Sequence, residues 1–150
     1  MYTITTIDDF LGHKALAFAG ASRSGRKFVN TVYRDLKKKG YQLHPVHPQA
    51  QTVEGDPCYH SIAELPPQIG GLFICVAPDE TGQLVRQAHE AGIRHIWLQQ
   101  GAASEDAIRF CDENSISLIH GECILMFAEP AHWLHRTHRW CWKLLGKLPE

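Results

Sequence analysis

The sequence predicts an α/β domain whose parallel, doubly wound sheet has five strands and carries helices on both faces. Two observations predict this fold. Short apolar runs alternate along the chain with segments in which apolar residues recur at helical spacing. Each interval between successive apolar runs is long enough for a crossover helix, so the strands should run parallel. We therefore expect a Rossmann-like sheet, followed by one amphipathic helix at the C-terminus.

The first two predicted strands flank an amphipathic helix. The apolar run at 14–20 indicates a strand buried on both faces, and a second strand at 41–48 stops at Pro48. Between them, helical spacing of apolar residues and the cap residue Gly40 predict a helix. A turn-rich stretch with one helical turn at 61–65 should follow. The apolar residues of the helix are Phe28, Val29, Val32, Tyr33 and Leu36.

Three further strands and two further helices complete the predicted sheet. The strands are expected at 71–78, 95–101 and 116–123. Asp79 can cap a helix that runs through Ala91, because its carboxylate can accept a hydrogen bond from a first-turn amide. Ser104 can cap the last core helix, which Asn114 closes. We expect residues 1–130 to form the nucleotide-binding domain and 131–150 the appended helix.

Composition excludes several classes of protein. The chain has 150 residues, 44% of them hydrophobic, which suits one domain with a real core. Its 15 Lys and Arg nearly balance its 16 Asp and Glu, so we expect no nucleic-acid partner. No apolar run is long enough to span a membrane, and the N-terminus does not resemble a signal peptide. Five scattered cysteines indicate reduced thiols and a cytoplasmic location.

The first strand ends in a turn that is typical of phosphate sites. Gly20 permits a tight turn, and the helix that follows offers unpaired N–H groups and the positive end of its dipole. Ser22 adds a hydroxyl, while Arg23, Arg26 and Lys27 add three positive charges. A diphosphate fits such a turn. The alternative is an ordinary strand-to-helix turn that binds no ligand and has solvated basic residues.

NAD does not suit this turn. The dinucleotide fingerprint has glycine at its first, third and sixth positions, whereas this chain has Gly20, Ser22 and Gly25 there. The second strand also ends in "VHP" rather than in a carboxylate for the ribose hydroxyls. The cations instead favour a nucleotide with an additional phosphate. NADP and coenzyme A (CoA) both meet that requirement.

Five short motifs, one at each strand edge, resemble those of the single-domain CoA-binding proteins. That family is similar to the CoA-binding domain of the succinyl-CoA synthetase alpha subunit. The motifs are "GAS" at 20–22, "GYQLHPVHP" at 40–48, "VAP" at 76–78, "AGIRHIWLQQGA" at 91–102 and "HGEC" at 120–123. The resemblance covers about residues 8 to 130. Family members often have glycine where this chain has Val29, and this departure should alter how closely the diphosphate approaches.

The resemblance implies a role for each matching residue. The "GAS" turn and Arg23 would hold phosphate, the second strand edge would flank the nucleotide, the third would cover the adenine, and Gly101 would line the pantetheine path. The predicted cofactor-binding residues are Gly20, Ala21, Ser22, Arg23, Arg26, Lys27, Val46, His47, Pro48, Val76, Ala77, Pro78, Gly101 and Cys123.

We predict binding of CoA or an acyl-CoA without catalysis. His120, Glu122 and Cys123 fall at the ligand edge, but no acid or oxyanion donor for a Cys nucleophile is identifiable. Two alternatives remain open. One is a small enzyme, either an NADP-dependent reductase or an acyl-transfer enzyme using Cys123. The other is an interaction module with a vestigial nucleotide site.

The histidines and the C-terminal segment suggest no additional cofactor. Those at 132, 135 and 138 drift around a helix, and no CxxC pair accompanies them, so we predict no metal site. The predicted helix carries Trp133 and Trp140 among basic residues. In decreasing order of preference, it packs on its own domain, forms a homodimer, or contacts an anionic membrane surface.

Overall fold

Five parallel strands form the centre of the protein, in the order β2-β1-β5-β6-β7, and a separate two-stranded hairpin pairs β3 with β4. The structure is a computed structural model that describes residues 2–128. The strands are β1 (Ala15–Ala19), β2 (Gln42–Val46), β3 (Thr52–Val53), β4 (Asp56–Pro57), β5 (Gly71–Ile74), β6 (His95–Gln99) and β7 (Ser117–Glu122). The helices are α1 (Ile4–Gly12), α2 (Phe28–Lys38), α3 (Pro78–Glu90) and α4 (Glu105–Glu113), with 3-10 turns at Ile62–Glu64 and Ile124–Met126.

Helices cover both faces of the sheet, as predicted. The core cluster on one face joins apolar residues of α1 and α2 to Phe18 and Trp97 of the sheet. The cluster on the other face joins α3 and α4 to Ile74 and Leu98. The three central strands, β1, β5 and β6, are buried on both faces, so their sequences are mostly continuous apolar runs. The edge strands β2 and β7 contain polar and partly exposed residues as well. The five predicted strands and the doubly wound architecture are confirmed.

The strand order reverses between β1 and β5. From β1 the chain crosses to β2 on one side and later returns to β5 on the other. Ala19 at the end of β1 is paired with Val46 of β2 and with Ile74 of β5. The loops that leave β1 and β5 must therefore diverge, and the gap between them is where open α/β sheets bind ligands.

One helix and one hairpin were not predicted. Helix α1 begins after Thr3, whose hydroxyl accepts a hydrogen bond from the Thr6 amide while the Thr6 hydroxyl accepts one from the Thr3 amide. It buries Ile7 and Phe10 against the sheet. The second is the hairpin β3–β4, which lies within the stretch predicted to be turns.

Two local predictions about the helices were wrong. Helix α3 begins at Pro78 with Ala77 at its N-cap, so Asp79 lies inside the first turn. The fixed backbone angle of proline suits the first helical position, which moves the N-cap two residues upstream, from Asp79 to Ala77. Phe28 was placed on the buried side of α2 but is 57% exposed. Side chains tilt toward the N-terminus of their helix, so a ring in the first turn points past the edge of the sheet.

The predicted C-terminal helix at 131–150, with its proposed homodimer contact, lies outside the described residues. Among residues 2–128, no helix is long and apolar enough to cross a membrane.

Candidate functional site

The predicted cofactor-binding residues lie along the carboxyl edge of the sheet. Gly20 follows β1, His47 follows β2, and Cys75 follows β5. The Ala19–Val46 and Ala19–Ile74 pairs place these three positions side by side. Farther along the edge, Gln99 of β6 pairs with Glu122 of β7, and Gly101 and Cys123 lie just beyond that pair.

Gly20 stands at the point where the strand order reverses. Its φ is +113°, and a Cβ there would overlap the carbonyl of Cys75, only 2.6 Å from the carbonyl carbon. No side chain can be accommodated unless the backbone shifts. The amide of Cys75 donates to the carbonyl of Ala19 at 2.9 Å, which holds the two strand ends together. The glycine therefore permits both the turn and the close approach of β1 to β5.

Residues 22–25 form a turn that one buried side chain organises. Asn30 is fully buried in α2, and its Oδ1 accepts from the Ser22 amide at 2.9 Å while its Nδ2 donates to the Ser22 carbonyl at 2.8 Å. The Gly25 amide donates to the Ser22 carbonyl at 3.3 Å. The Ser22 hydroxyl accepts from the Ser24 amide at 3.2 Å. The Ser22 amide is thus bonded within the protein, and the Ser22 hydroxyl shares a further hydrogen bond of 2.9 Å with the Ser24 hydroxyl. Ala21 is buried, so only its backbone is available to a ligand.

Helix α2 begins beside this turn with open amides. Lys27 occupies the N-cap position and makes no side-chain capping hydrogen bond. Within residues 2–128, the amides of Arg23, Lys27, Phe28 and Val29 have no protein acceptor. The partial positive charge of the helix end is therefore directed at the carboxyl edge, as an anion site requires. Val29, the residue at which this sequence departs from the motif that it resembles, is buried in the core of this face. Helix α2 therefore packs on the sheet with a valine at that position.

The three predicted cations are exposed and make no ion pair within the described part of the chain. Arg23, Arg26 and Lys27 differ in this respect from two other basic residues of the same region, Arg34 and Lys37. Arg34 pairs with Glu54 at 2.9 Å and Lys37 with Asp56 at 2.8 Å. The turn and the start of α2 thus carry three positive charges that no carboxylate within residues 2–128 neutralises.

His47 adds a neutral donor next to the turn. Its Nδ1 accepts from the amides of Gln49 at 3.0 Å and Ala50 at 3.1 Å, which leaves the proton on Nε2. Burial lowers the pKa of His47, and the charges of Arg23 and His60 lower it further. The ring is therefore neutral near pH 7 and can offer one N–H group to a ligand.

The remaining predicted residues form the apolar part of the edge. Val46 is buried and Val76 packs against the same core cluster, one on each side of the end of β1. Ala77 and Pro78 are exposed at the start of α3, and Pro48 is exposed after β2. Gly101 has a φ of +90° and open space where a side chain would lie.

The polar residues near Cys123 contact Tyr2. The ring of His120 packs edge-on against Tyr2, with 5.6 Å between the ring centroids, and the Tyr2 hydroxyl donates to Glu122 Oε1 at 3.1 Å. Burial raises the pKa of Glu122, against a smaller lowering by the Tyr2 hydrogen bond. Burial raises the pKa of Cys75, and the nearby Cys123 raises it further. Within residues 2–128, no imidazole is paired with either thiol.

A groove elsewhere on the protein does not belong to this edge. It has a volume of about 590 Å³ and is lined by residues 61–69 and 87–93. These segments precede β5 and β6, so the groove lies at the amino ends of the strands, opposite the turn. Open parallel sheets bind nucleotides at the other edge.

A sequence model described as "CoA binding domain" matches residues 14–129 of the chain. The chain belongs to the CoA binding domain family. The match confirms the predicted family and coenzyme A as the predicted cofactor, which favours CoA over NADP.

Two solved structures have the same fold as this CoA-binding domain. A conserved hypothetical protein from Pyrococcus furiosus is 35% identical, with a TM-score of 0.71, and the match covers 74% of this chain and 96% of that one. A hypothetical protein from Pyrococcus horikoshii is 29% identical, with a TM-score of 0.77, covering 82% of this chain and 87% of that one.

The domain also matches part of two larger enzymes. Acetate–CoA ligase (ADP-forming) II from Archaeoglobus fulgidus is 29% identical over 108 residues, which are 70% of this chain and 16% of the ligase. The alpha subunit of acetate–CoA ligase (ADP-forming) II from Pyrococcus furiosus is 26% identical over 91 residues, 60% of this chain and 20% of the subunit. The chain therefore spans about a fifth or less of the ligases that it matches.

Sequence analysis did not identify two residues of the site, Asn30 and Glu54. Asn30 lies eight positions after Ser22 on an apolar face of α2, where a polar residue among buried positions was the available signal. Glu54 lies in the hairpin and accepts from Asn30 across 24 positions of sequence. No local pattern links residues so far apart.

Proposed function

We propose that this domain binds CoA or an acyl-CoA at the carboxyl edge and acts as a sensor, store or carrier without catalysing a reaction. The observation that carries the proposal is the turn after β1. There, Gly20 allows the backbone to pass close to the carbonyl of Cys75. Within residues 2–128, four backbone amides of the turn and of the first turn of α2 have no protein acceptor, and the three basic side chains make no ion pair. A diphosphate supplies the acceptors and the negative charge that these groups need.

The rest of the edge supports a binding mode for the nucleotide. The diphosphate would accept from the first-turn amides of α2, with Arg23, Arg26 and Lys27 around it. The adenine would lie against Val76 and Pro78, flanked by the end of β2 at Val46, His47 and Pro48. The pantetheine arm would pass Gly101 toward Cys123, where open space above the glycine leaves room for it.

The two related ligases support CoA binding by this chain but not a ligase activity. The two ligases are named as acetate–CoA ligases, and this chain corresponds to a small part of each. Such a part accounts for binding of the CoA but not for activation of an acid. We therefore propose a binding role in a cytoplasmic protein, and we carry no ligase reaction over to the chain.

A charge reversal at Arg23 tests the proposed site. We expect Arg23→Glu to weaken CoA binding at least about 10-fold, because it places a negative charge beside the phosphates. Titration calorimetry would measure the affinity for CoA, dephospho-CoA and NADP. Lys38→Glu is the matched control, since it makes the same change at the exposed far end of α2. Equal affinity in the wild type and Arg23→Glu would remove Arg23 from the site, and tighter binding of NADP than of CoA would refute the proposed ligand.

Acyl transfer through Cys123 is the enzyme alternative that the edge position of this thiol keeps open. The test is turnover of an acyl-CoA by the wild type and by Cys123→Ser. Turnover that disappears in the variant while CoA still binds would replace the non-catalytic proposal. Absence of turnover in both proteins would support the non-catalytic proposal.

A further inference from the structure

The turn of the hairpin β3–β4 has a glutamate at a position whose backbone conformation disfavours this residue type. Glu54 and Gly55 connect the two strands, and both have positive φ, 51° and 82°. Two-residue turns of this kind favour asparagine, aspartate or glycine at the first position. A residue with a long side chain adopts this backbone at a cost, and such outliers point to a role for the side chain.

The carboxylate of Glu54 is linked through two side chains to both ends of the turn at residues 22–25, which we call the phosphate turn. Its Oε1 accepts from Asn30 Nδ2 at 2.8 Å and from Arg34 Nη1 at 2.9 Å. Asn30 then holds the amide and the carbonyl of Ser22, while Arg34 Nη1 also donates to the carbonyl of Gly25 at 3.3 Å. One oxygen atom of the hairpin thus fixes two side chains, which in turn hold the beginning and the end of residues 22–25.

The chemistry of the carboxylate sets the orientation of Asn30. A carboxylate only accepts hydrogen bonds, so the Nδ2 side of the amide must face Glu54, and Oδ1 is left to receive the Ser22 amide. The reversed amide would direct Nδ2 at the Ser22 N–H. Burial raises the pKa of Glu54, but the hydrogen bonds from Asn30 and Arg34 outweigh it and leave the pKa below its usual value.

We infer that Glu54 is a positioning residue for the phosphate turn: through Asn30 and Arg34 it holds residues 22–25 in the conformation that receives the diphosphate of CoA. This inference rests on the proposed function. Glu54 does not contact the ligand in this scheme. It acts from behind the turn, where only 14% of its side chain is exposed.

Electrostatics and positioning make opposite predictions for this residue. A negative charge close to an anion site opposes the anion, so removal of the charge alone should strengthen CoA binding. Loss of the hydrogen bonds should weaken binding, because the turn would no longer be held in place. The direction of the change in affinity therefore separates the two effects.

Three variants of the full chain test the inference by titration with CoA. Glu54→Asn suits the turn but is too short to reach Asn30 and Arg34, and we expect it to weaken binding about 10-fold, the loss typical of a hydrogen bond to a charged group. Glu54→Gln keeps an acceptor oxygen and should bind at least as tightly as the wild type. Asp56→Asn is the matched control: it also removes a hairpin carboxylate, but one that contacts Tyr33 and Lys37 farther along α2. Its affinity should not fall.

Two outcomes would overturn the inference: unchanged or tighter CoA binding by Glu54→Asn, or an equal loss in Asp56→Asn, which would assign the effect to general docking of the hairpin. Amide exchange in the ligand-free protein gives a readout that does not depend on CoA. The amides of Ser22 and Gly25 should exchange faster in Glu54→Asn and at the wild-type rate in Asp56→Asn. Unchanged exchange in Glu54→Asn would refute positioning, whereas absence of CoA binding by the wild type would refute the proposed function alone.

Discussion

At the scale of single residues, Gly20 gives the clearest test of how the sequence builds the site. A side chain there meets two obstacles, a φ of +113° and the backbone carbonyl of Cys75. The hydrogen bond from the Cys75 amide to the Ala19 carbonyl opposes separation of the two strand ends. We expect Gly20→Ala to lower the free energy of unfolding by about 1 to 3 kcal/mol and to displace the phosphate turn.

Gly92→Ala is the control for this prediction. Gly92 also has positive φ, 81°, but nothing lies within 4 Å of the position of an added Cβ. The control therefore reports the cost of the backbone conformation without the overlap. Urea unfolding of both variants measures the difference, and equal destabilisation would show that the close approach to Cys75 contributes nothing.

The sequence predicted the glycine and the cations of the turn but not the side chains that hold it. Gly20, Arg23 and Lys27 belong to one short segment, so local pattern is sufficient to identify them. Asn30 was hidden among the apolar positions of α2, and Glu54 comes from another element. Their roles depend on tertiary contacts, which no short window of sequence contains.

At the scale of elements, α2 begins without a side-chain cap at the place where we propose that phosphate binds. Lys27 is at the N-cap, where serine, threonine, aspartate or asparagine would satisfy a first-turn amide. Lys27→Asp would supply that acceptor and a charge that suits the helix dipole. We expect it to raise the free energy of unfolding by about 1 kcal/mol and to weaken CoA binding at least about 10-fold, since the carboxylate competes with phosphate for the same amides.

Lys27→Ala separates the two contributions of the aspartate variant. It removes the cation without providing a cap, so its stability should stay within about 0.5 kcal/mol of the wild type. Its loss of affinity should be smaller than that of Lys27→Asp. Thermal unfolding and calorimetry on the same samples check both quantities, and a gain of stability without loss of affinity would argue against phosphate at the α2 terminus.

The elements that sequence analysis missed owe their structure to their partners. Helix α1 begins with Ile4, Thr5 and Thr6, which are β-branched and weak helix formers, and it is stabilised by packing of Ile7 and Phe10 on the sheet. The strands of the hairpin are two residues long. Tyr33 donates to Asp56 at 2.6 Å and so attaches the hairpin to α2. By contrast, the central strands β1, β5 and β6 are mostly apolar runs, which is why they could be predicted.

At the scale of the whole molecule, the strand order explains why separate motifs converge. Parallel strands direct all their carboxyl ends to one edge, so five short motifs that are far apart in sequence become neighbours. Order along the chain was therefore sufficient to predict the edge. It was not sufficient to predict the contacts across that edge, because the pairing of turn, hairpin and helix depends on side chains at single positions.

Partly buried histidines should make the whole fold sensitive to acid. Burial lowers the pKa of four of them, His44, His47, His95 and His120, and the adjacent His13 lowers that of His95 further, with 4.6 Å between their ring centroids. A histidine with a lowered folded-state pKa binds its proton more readily when unfolded, so stability is complete above the unfolded value of 6.5 and decreases as the pH falls through the folded value. We expect the free energy of unfolding to decrease steadily from about pH 7.5 to about pH 5.5, before the carboxylates titrate.

Urea unfolding across that pH range tests this prediction, with His95→Gln as the comparison. The variant removes one of the four groups, so its slope of unfolding free energy against pH should be smaller by at most about 1.4 kcal/mol per pH unit, the limit for one proton. A wild-type profile that stays flat would contradict the prediction. A profile that slopes equally in both proteins would assign the acid sensitivity to the other three histidines. Of these, His44 lies in β2, His47 follows β2 beside the phosphate turn, and His120 lies in β7.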